Sequence, residues 1–251
     1  MVKILNGDLY RFAKSKLLYG LAALTCAIAF ALVMLVRQDI RIGISVFGDL
    51  TAFRGIDDMI RIGVQYQKGL GLFLAVLISI FIGQEYAWKT WQHKWIISKS
   101  RARIYLSKAA LSSAVSVAIF LLFEAVVLLC SGQMQQILTG GYAAMMLGGC
   151  FMYTALGAVI CMISMLIKSN IASMVACLGY VLFSESLISL LRSIGGSFAE
   201  WIAAHTNYGM SALLCGASVS LGSVWPVILN AVIIMGFAAA FGMFFFRKAE
   251  L

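Results

Sequence analysis

The chain has 251 residues, of which 62% are hydrophobic and only 12% charged, with a single proline and a formal net charge of +9. A soluble domain is roughly half apolar, so this composition excludes one and points to an all-α, polytopic membrane protein. The positive balance does not point to nucleic acid, because the basic residues flank long apolar runs and form no patch with interleaved aromatics on a soluble-looking module.

Residues Met1 to Lys16 read as an amphipathic helix on the membrane surface, with Leu5, Leu9 and Phe12 on its apolar side and Lys3, Arg11, Lys14 and Lys16 on its cationic side. Asn6-Gly7-Asp8 is expected to cap or restart it. Leu17 to Val36 is the first span, long enough for a hydrocarbon core of about 30 Å. No small-residue cleavage pattern closes it, so it is expected to stay as a helix rather than be removed as a signal. Arg37 to Lys68 is polar and mixed in sign, which fits an external loop containing some surface helix. The remaining spans are Gly69 to Gly83, Ala109 to Cys130, Tyr142 to Ile167, Ile171 to Leu191 and Val227 to Phe246. The second is short and must borrow residues on either side. Lys168-Ser169-Asn170 forms a tight turn between the fourth and fifth. Between Arg192 and Pro226 the chain is long yet apolar, and Phe198 to Ala204 and Met210 to Ser218 read as two short helices, external or re-entrant.

Thirteen of the 19 lysines and arginines fall before span one, between spans two and three, at Lys168 and after span six. By the positive-inside rule these positions are cytoplasmic, so both termini are expected inside the plasma membrane of a bacterium. Cys26, Cys150, Cys161 and Cys177 lie within apolar runs as small hydrophobes. Cys130 and Cys215 are the pair whose placement allows a disulfide.

The one long, strongly basic polar stretch, Gln84 to Lys108, holds Lys89, Lys94, Lys99, Arg101, Arg103 and Lys108 against the acid Glu85. Trp88, Trp91 and Trp95 recur at helical spacing. Two readings fit them: an interfacial helix with its tryptophans at the headgroups, and a rod that carries force from a cytoplasmic partner. The chain lacks G-x-x-x-x-G-K-[ST], so it builds no phosphate loop and is expected not to be an enzyme. It also lacks HExxH, and His93 and His205 stand on opposite sides of the expected membrane, so no metal site is expected. Glu124 and Glu185 lie in apolar runs, where an ionised carboxylate costs several kcal/mol unless paired or protonated. They are candidates for a translocation path, the alternatives being an interhelical hydrogen bond or, for Glu185, a link to Arg192.

Glu85, three residues, Lys89-Thr90, then Ser100-Arg101 and Lys108 at the start of the next span resembles the segment between spans two and three of ABC-2 type transporter permeases. Asp8-Leu9-Tyr10-Arg11 with Lys14 resembles that family's interfacial elbow helix. The resemblance extends through the six-span layout to the paired short helices before span six. Lys89 stands where the family usually has glycine, which disfavours a tight turn there. The resemblance implies a coupling helix formed by this segment, with Glu85, Trp88, Lys89, Thr90, Trp91, Ser100, Arg101 and Lys108 as the residues that couple to a separate ABC ATP-binding subunit. It implies ATP and Mg in that subunit, none in this chain, and a second permease chain. Permeases of this size resemble those of bacitracin, lantibiotic and phenol-soluble modulin export, which implies an amphipathic or antimicrobial peptide as cargo. A secondary transporter or channel using Glu124 and Glu185 is the alternative from a different class, and a membrane scaffold subunit is a third.

Overall fold

The computed structural model describes residues 2–37, 56–88, 90, 100–132, 137, 139–216 and 220–248. Ten helices are described: α1 Val2–Ala13, α2 Lys16–Arg37, α3 Ile56–Val64, α4 Leu70–Ala87, α5 Arg101–Ser131, α6 Gly140–Leu166, α7 Asn170–Ile194, α8 Ser197–Ala204, α9 Asn207–Leu214 and α10 Leu221–Lys248. Among the described residues there is no strand. Six of the helices, α2, α4, α5, α6, α7 and α10, are long and apolar enough to cross a membrane, and the protein is an all-α polytopic membrane protein.

The centre of the bundle is built from α4, α5 and α6, with α2 against α5, α10 against both α6 and α5, and α7 against α4. Close approach there depends on small residues, as expected where helix association in lipid rests on packing rather than on a hydrophobic driving force. A Cβ on Gly157 of α6 would stand 2.7 Å from the Ser112 carbonyl of α5, and one on Gly149 would stand 2.5 Å from the Phe120 ring. Leu229, Ile233 and Phe237 of α10 and Leu182, Phe183 and Leu187 of α7 are exposed on the bundle's outside, where apolar side chains face lipid.

The elements sort to two ends. The C-terminal end of α4, the start of α5, the end of α6, the start of α7 and the end of α10 gather at one end: Tyr86 Oη donates to Met165 O at 3.0 Å, and Tyr105 Oη donates to Ala238 O at 2.7 Å. This is the basic end, and α1 lies against it. The opposite end is capped by α3, a 3₁₀ turn over Tyr66–Lys68, α8 and α9. There Ser211 Oγ donates to Val64 O at 3.0 Å and Arg61 Nη1 to Cys215 O at 3.0 Å.

Several boundaries differ from those expected from hydropathy. Span two gains its length from Gln84–Ala87, and α5 starts at Arg101 rather than Ala109, so both ends of the polar Gln84 to Lys108 stretch are helical. Polar residues are accepted in those turns because they pair with each other, as described below. Helix α10 starts at Leu221, ahead of Pro226; a proline this near the N-terminus removes little of the hydrogen-bond ladder. The two short helices are Ser197–Ala204 and Asn207–Leu214, separated from α7 by Gly195 and Gly196 at φ 77° and 103°. All six cysteines are free. The Cys215 thiol accepts from Gln65 Nε2 at 3.4 Å, and burial pushes it up from its ordinary value, toward the unreactive thiol.

Helix α1 corrects two expectations. Asn6-Gly7-Asp8 does not interrupt it, and the helix runs through. Its buried stripe is Ile4, Asp8 and Phe12 rather than Leu5, Leu9 and Phe12, and Leu9 is 53% exposed. The stripe includes an acid because α1 docks on a buried lysine, and satisfying that charge outweighs burying Leu9. Gly7 is exposed with nothing within 4 Å of an added Cβ, so Gly7→Ala should stabilise α1 by about 0.5–1 kcal/mol through helix propensity. Thermal unfolding of the solubilised chain checks this, with a rise in midpoint expected.

Candidate functional site: an ionic clasp at the basic end

Four charged side chains from three helices meet at the basic end. Lys108, two turns into α5, is fully buried, as is Glu85 near the end of α4, and Asp8 of α1 is 2% exposed. Lys108 Nζ lies 3.0 Å from Asp8 Oδ2 and donates to Glu85 Oε1 in a direct ion pair. Arg11 Nη2 reaches the same Glu85 oxygen at 2.7 Å and donates to Phe81 O at 3.1 Å. Among the described residues two carboxylates here are paired with two cations, and pairing is what lets buried ions be tolerated.

Phe81, one turn before Glu85, is the apolar side of this cluster. Arg11 sits 4.3 Å from its ring centroid and Lys108 4.5 Å, and Phe12 meets it edge-on at 4.8 Å. The ring face attracts both cations and shields the ion pairs from water, which strengthens them. The spacing explains the local sequence: Asp8 with Arg11 and Phe12, and Phe81 with Glu85, stand three or four residues apart on single helix faces.

Glu85 has a second task. Its backbone carbonyl accepts the Thr90 N–H at 3.1 Å and the Thr90 hydroxyl at 3.4 Å. Thr90 therefore folds back onto the last turn of α4, and its N–H satisfies a carbonyl that the helix end leaves open. The clasp and this return of the chain are joined through one residue. Trp88, between Glu85 and Thr90 in the chain, is 63% exposed. Ser100 is the N-cap residue of α5, in extended conformation at φ −146°, and Arg101 opens the helix. Lys89, Trp91 and Trp95, with the helix expected around them, lie outside the described residues.

The structure thus brings Glu85, Thr90 and Lys108 together and sets Arg101 at the start of the helix that carries Lys108. Sequence reading placed Asp8 and Arg11 on the elbow helix but did not include them in the site. The available signal was the only acid in α1, three residues before an arginine and bounded by apolar positions.

The two intramembrane candidates are far from the clasp and apart from each other. Glu185 is on an exposed face of α7, where its partner is Tyr208 Oη at 3.4 Å rather than Arg192. Glu124 is fully buried at the capped end of α5, against Gly63 of α3. Among the described residues no group of three or more His, Cys, Asp or Glu side chains is placed to hold a metal.

Fold and clasp together define a six-helix membrane protein whose surface helix is locked by buried charge to the turn leaving its second span. No model of a known protein family matches the chain, and no curated protein matches it.

Proposed function

We propose that the chain is the permease subunit of an ATP-driven ABC exporter, moving amphipathic or antimicrobial peptides out of a bacterial cell together with a separate ATP-binding subunit and a second permease chain. The observation that supports this reading is the clasp. It joins the membrane-surface helix α1, the end of α4 and the start of α5 around the one segment that resembles a coupling element, so a push on residues 88–100 moves three helices as a unit. Buried ion pairs suit such a joint, because loss of one partner leaves an uncompensated charge and the joint opens only at high cost. In this reading the basic end is cytoplasmic, as the positive-inside bias predicts, and Trp88 and Arg101 face the ATP-binding subunit.

Arg101→Ala should leave the fold intact, since Arg101 is partly exposed at the first position of α5. It should sharply reduce the ATP hydrolysis that co-purifies with the chain and its stimulation by amphipathic peptides. Unchanged, peptide-stimulated hydrolysis in that variant contradicts the proposed docking face. Glu124 supports a second reading, transport driven by protons without nucleotide. Cargo movement by the chain alone in liposomes under a pH gradient, abolished by Glu124→Gln, would select that reading over the first.

A further inference from the structure

Glu124 is fully buried, and among the described residues neither of its carboxyl oxygens has a hydrogen-bond partner. It lies about 10 Å, at 1.5 Å per residue, from the end of α5 at Ser131. Helix α3 lies directly on it: a Cβ on Gly63 would fall 1.9 Å from Glu124 Oε1, so a side chain at this position must either turn the Glu124 carboxyl aside or lift the cap. The Gly63 carbonyl is taken by Tyr153 Oη at 2.6 Å, and Tyr153 is stacked on Phe120 at 4.7 Å.

Among the described residues, the titratable groups facing this carboxyl come from α6, α9, α3 and the 3₁₀ turn. From α6 there are Tyr142 and Tyr153, both close enough to feel its charge. Beyond Tyr153 lie Tyr66 of the 3₁₀ turn and Cys215 at the end of α9. The nearest described cation on α3, Arg61, is directed to the Cys215 carbonyl. None of these gives the carboxylate a counter-charge. A carboxylate sealed in an apolar site without a donor is not a stable arrangement. A hard metal ion would need about six oxygens, whereas the Gly63 carbonyl is already engaged by Tyr153 and no group of three or more metal-ligating side chains is found among the described residues. A proton needs only the carboxyl itself.

We propose that Glu124 is a proton-binding site and that α3 seats as a cap only over its protonated side chain, so that release of the proton and opening of the cap are one event. The ligand is H⁺, bound by a carboxyl oxygen; on release the carboxylate requires water, which enters only if Gly63 withdraws. Proton activity on the capped face thereby sets how often that face opens, whichever energy source drives transport.

Infrared difference spectroscopy of the purified full chain in lipid tests this without a probe having to reach the site. A solvated glutamate is protonated only about once in a thousand near pH 7.4, so a carboxylic-acid C=O band that persists at that pH and vanishes in Glu124→Gln is the expected result. Carboxylate bands lost in Glu124→Gln, with no acid band, overturn the proposal. Should Glu124→Gln not fold, the wild-type spectrum decides alone, since absence of any protonated-carboxyl band at pH 7.4 overturns it equally. Gly63→Ala, whose methyl takes the place of the Glu124 carboxyl and so unseats it from the sealed site, should convert the acid band to carboxylate. Amide exchange over residues 56–64 adds a structural readout. At alkaline pH the wild type should exchange faster than Glu124→Gln at the same pH, and equal protection in both across the range refutes the coupling of proton to cap. ATP hydrolysis by a partner enters none of these readings, so failure here leaves the exporter proposal standing, and the converse also holds.

Discussion

Replacing Lys108 with methionine should destabilise the protein by about 3–5 kcal/mol, the usual result of removing one member of a buried ionic group. Methionine fills similar volume, so the cost is electrostatic. Lys108 Nζ is the atom that Asp8 and Glu85 share, and without it two buried carboxylates lose the cation between them. The first element to respond should be α1, which rests on α5 through this contact. Hydrogen exchange over residues 2–13 should rise before the transmembrane helices change, and the unfolding midpoint should fall. Leu9→Ala is the comparison: Leu9 is an exposed residue of the same helix, and its loss should move stability by less than about 0.5 kcal/mol. Equal effects from the two substitutions would mean that the clasp does not hold α1.

Gly83→Val should be nearly as costly, for a steric reason. A Cβ at Gly83 would lie 2.7 Å from the Asn170 Cα and 2.6 Å from its side-chain oxygen, so α4 meets the first turn of α7 backbone to backbone. Three added carbon atoms cannot be absorbed by a rotamer change and force the helices apart, at about 3 kcal/mol, the upper part of the overpacking range. Gly83 is half a turn before Glu85, so the same displacement pulls the clasp out of register. Stability and peptide-stimulated ATP hydrolysis should therefore fall together, whereas Arg101→Ala should lower hydrolysis alone. A Gly83→Val protein with normal stability would show that α7 yields at this contact.

Hydropathy made the six spans legible, because each requires about twenty apolar residues and only a handful of runs in this chain supply them. It misplaced their ends where charge is buried. Lys108 and Glu85 read as loop residues because a charge inside a span is expensive, and their cost is met by Asp8 and Arg11, which lie far away in sequence. The same blindness affected α1, where period-3.6 spacing selected Leu9 and the real stripe uses Asp8. Pairing across more than seventy residues leaves no local periodic mark. The two bonds from Thr90 to the Glu85 carbonyl were likewise not legible, because a return of the chain onto a helix end leaves no periodic pattern. Glu124 was visible as an acid in an apolar run, but its lack of a partner and the glycine pressed against it are matters of packing.

The proposed function requires mechanical coupling between a nucleotide-driven partner and this chain through the clasp. The most direct measurement is ATP-dependent accumulation of a cationic amphipathic peptide in vesicles containing the chain and the ATP-binding subunit that co-purifies with it. Wild-type vesicles should accumulate peptide only with hydrolysable ATP, and Arg101→Ala vesicles should not, although the protein remains folded. Accumulation that proceeds without ATP, or without any ATP-binding subunit present, would contradict the account.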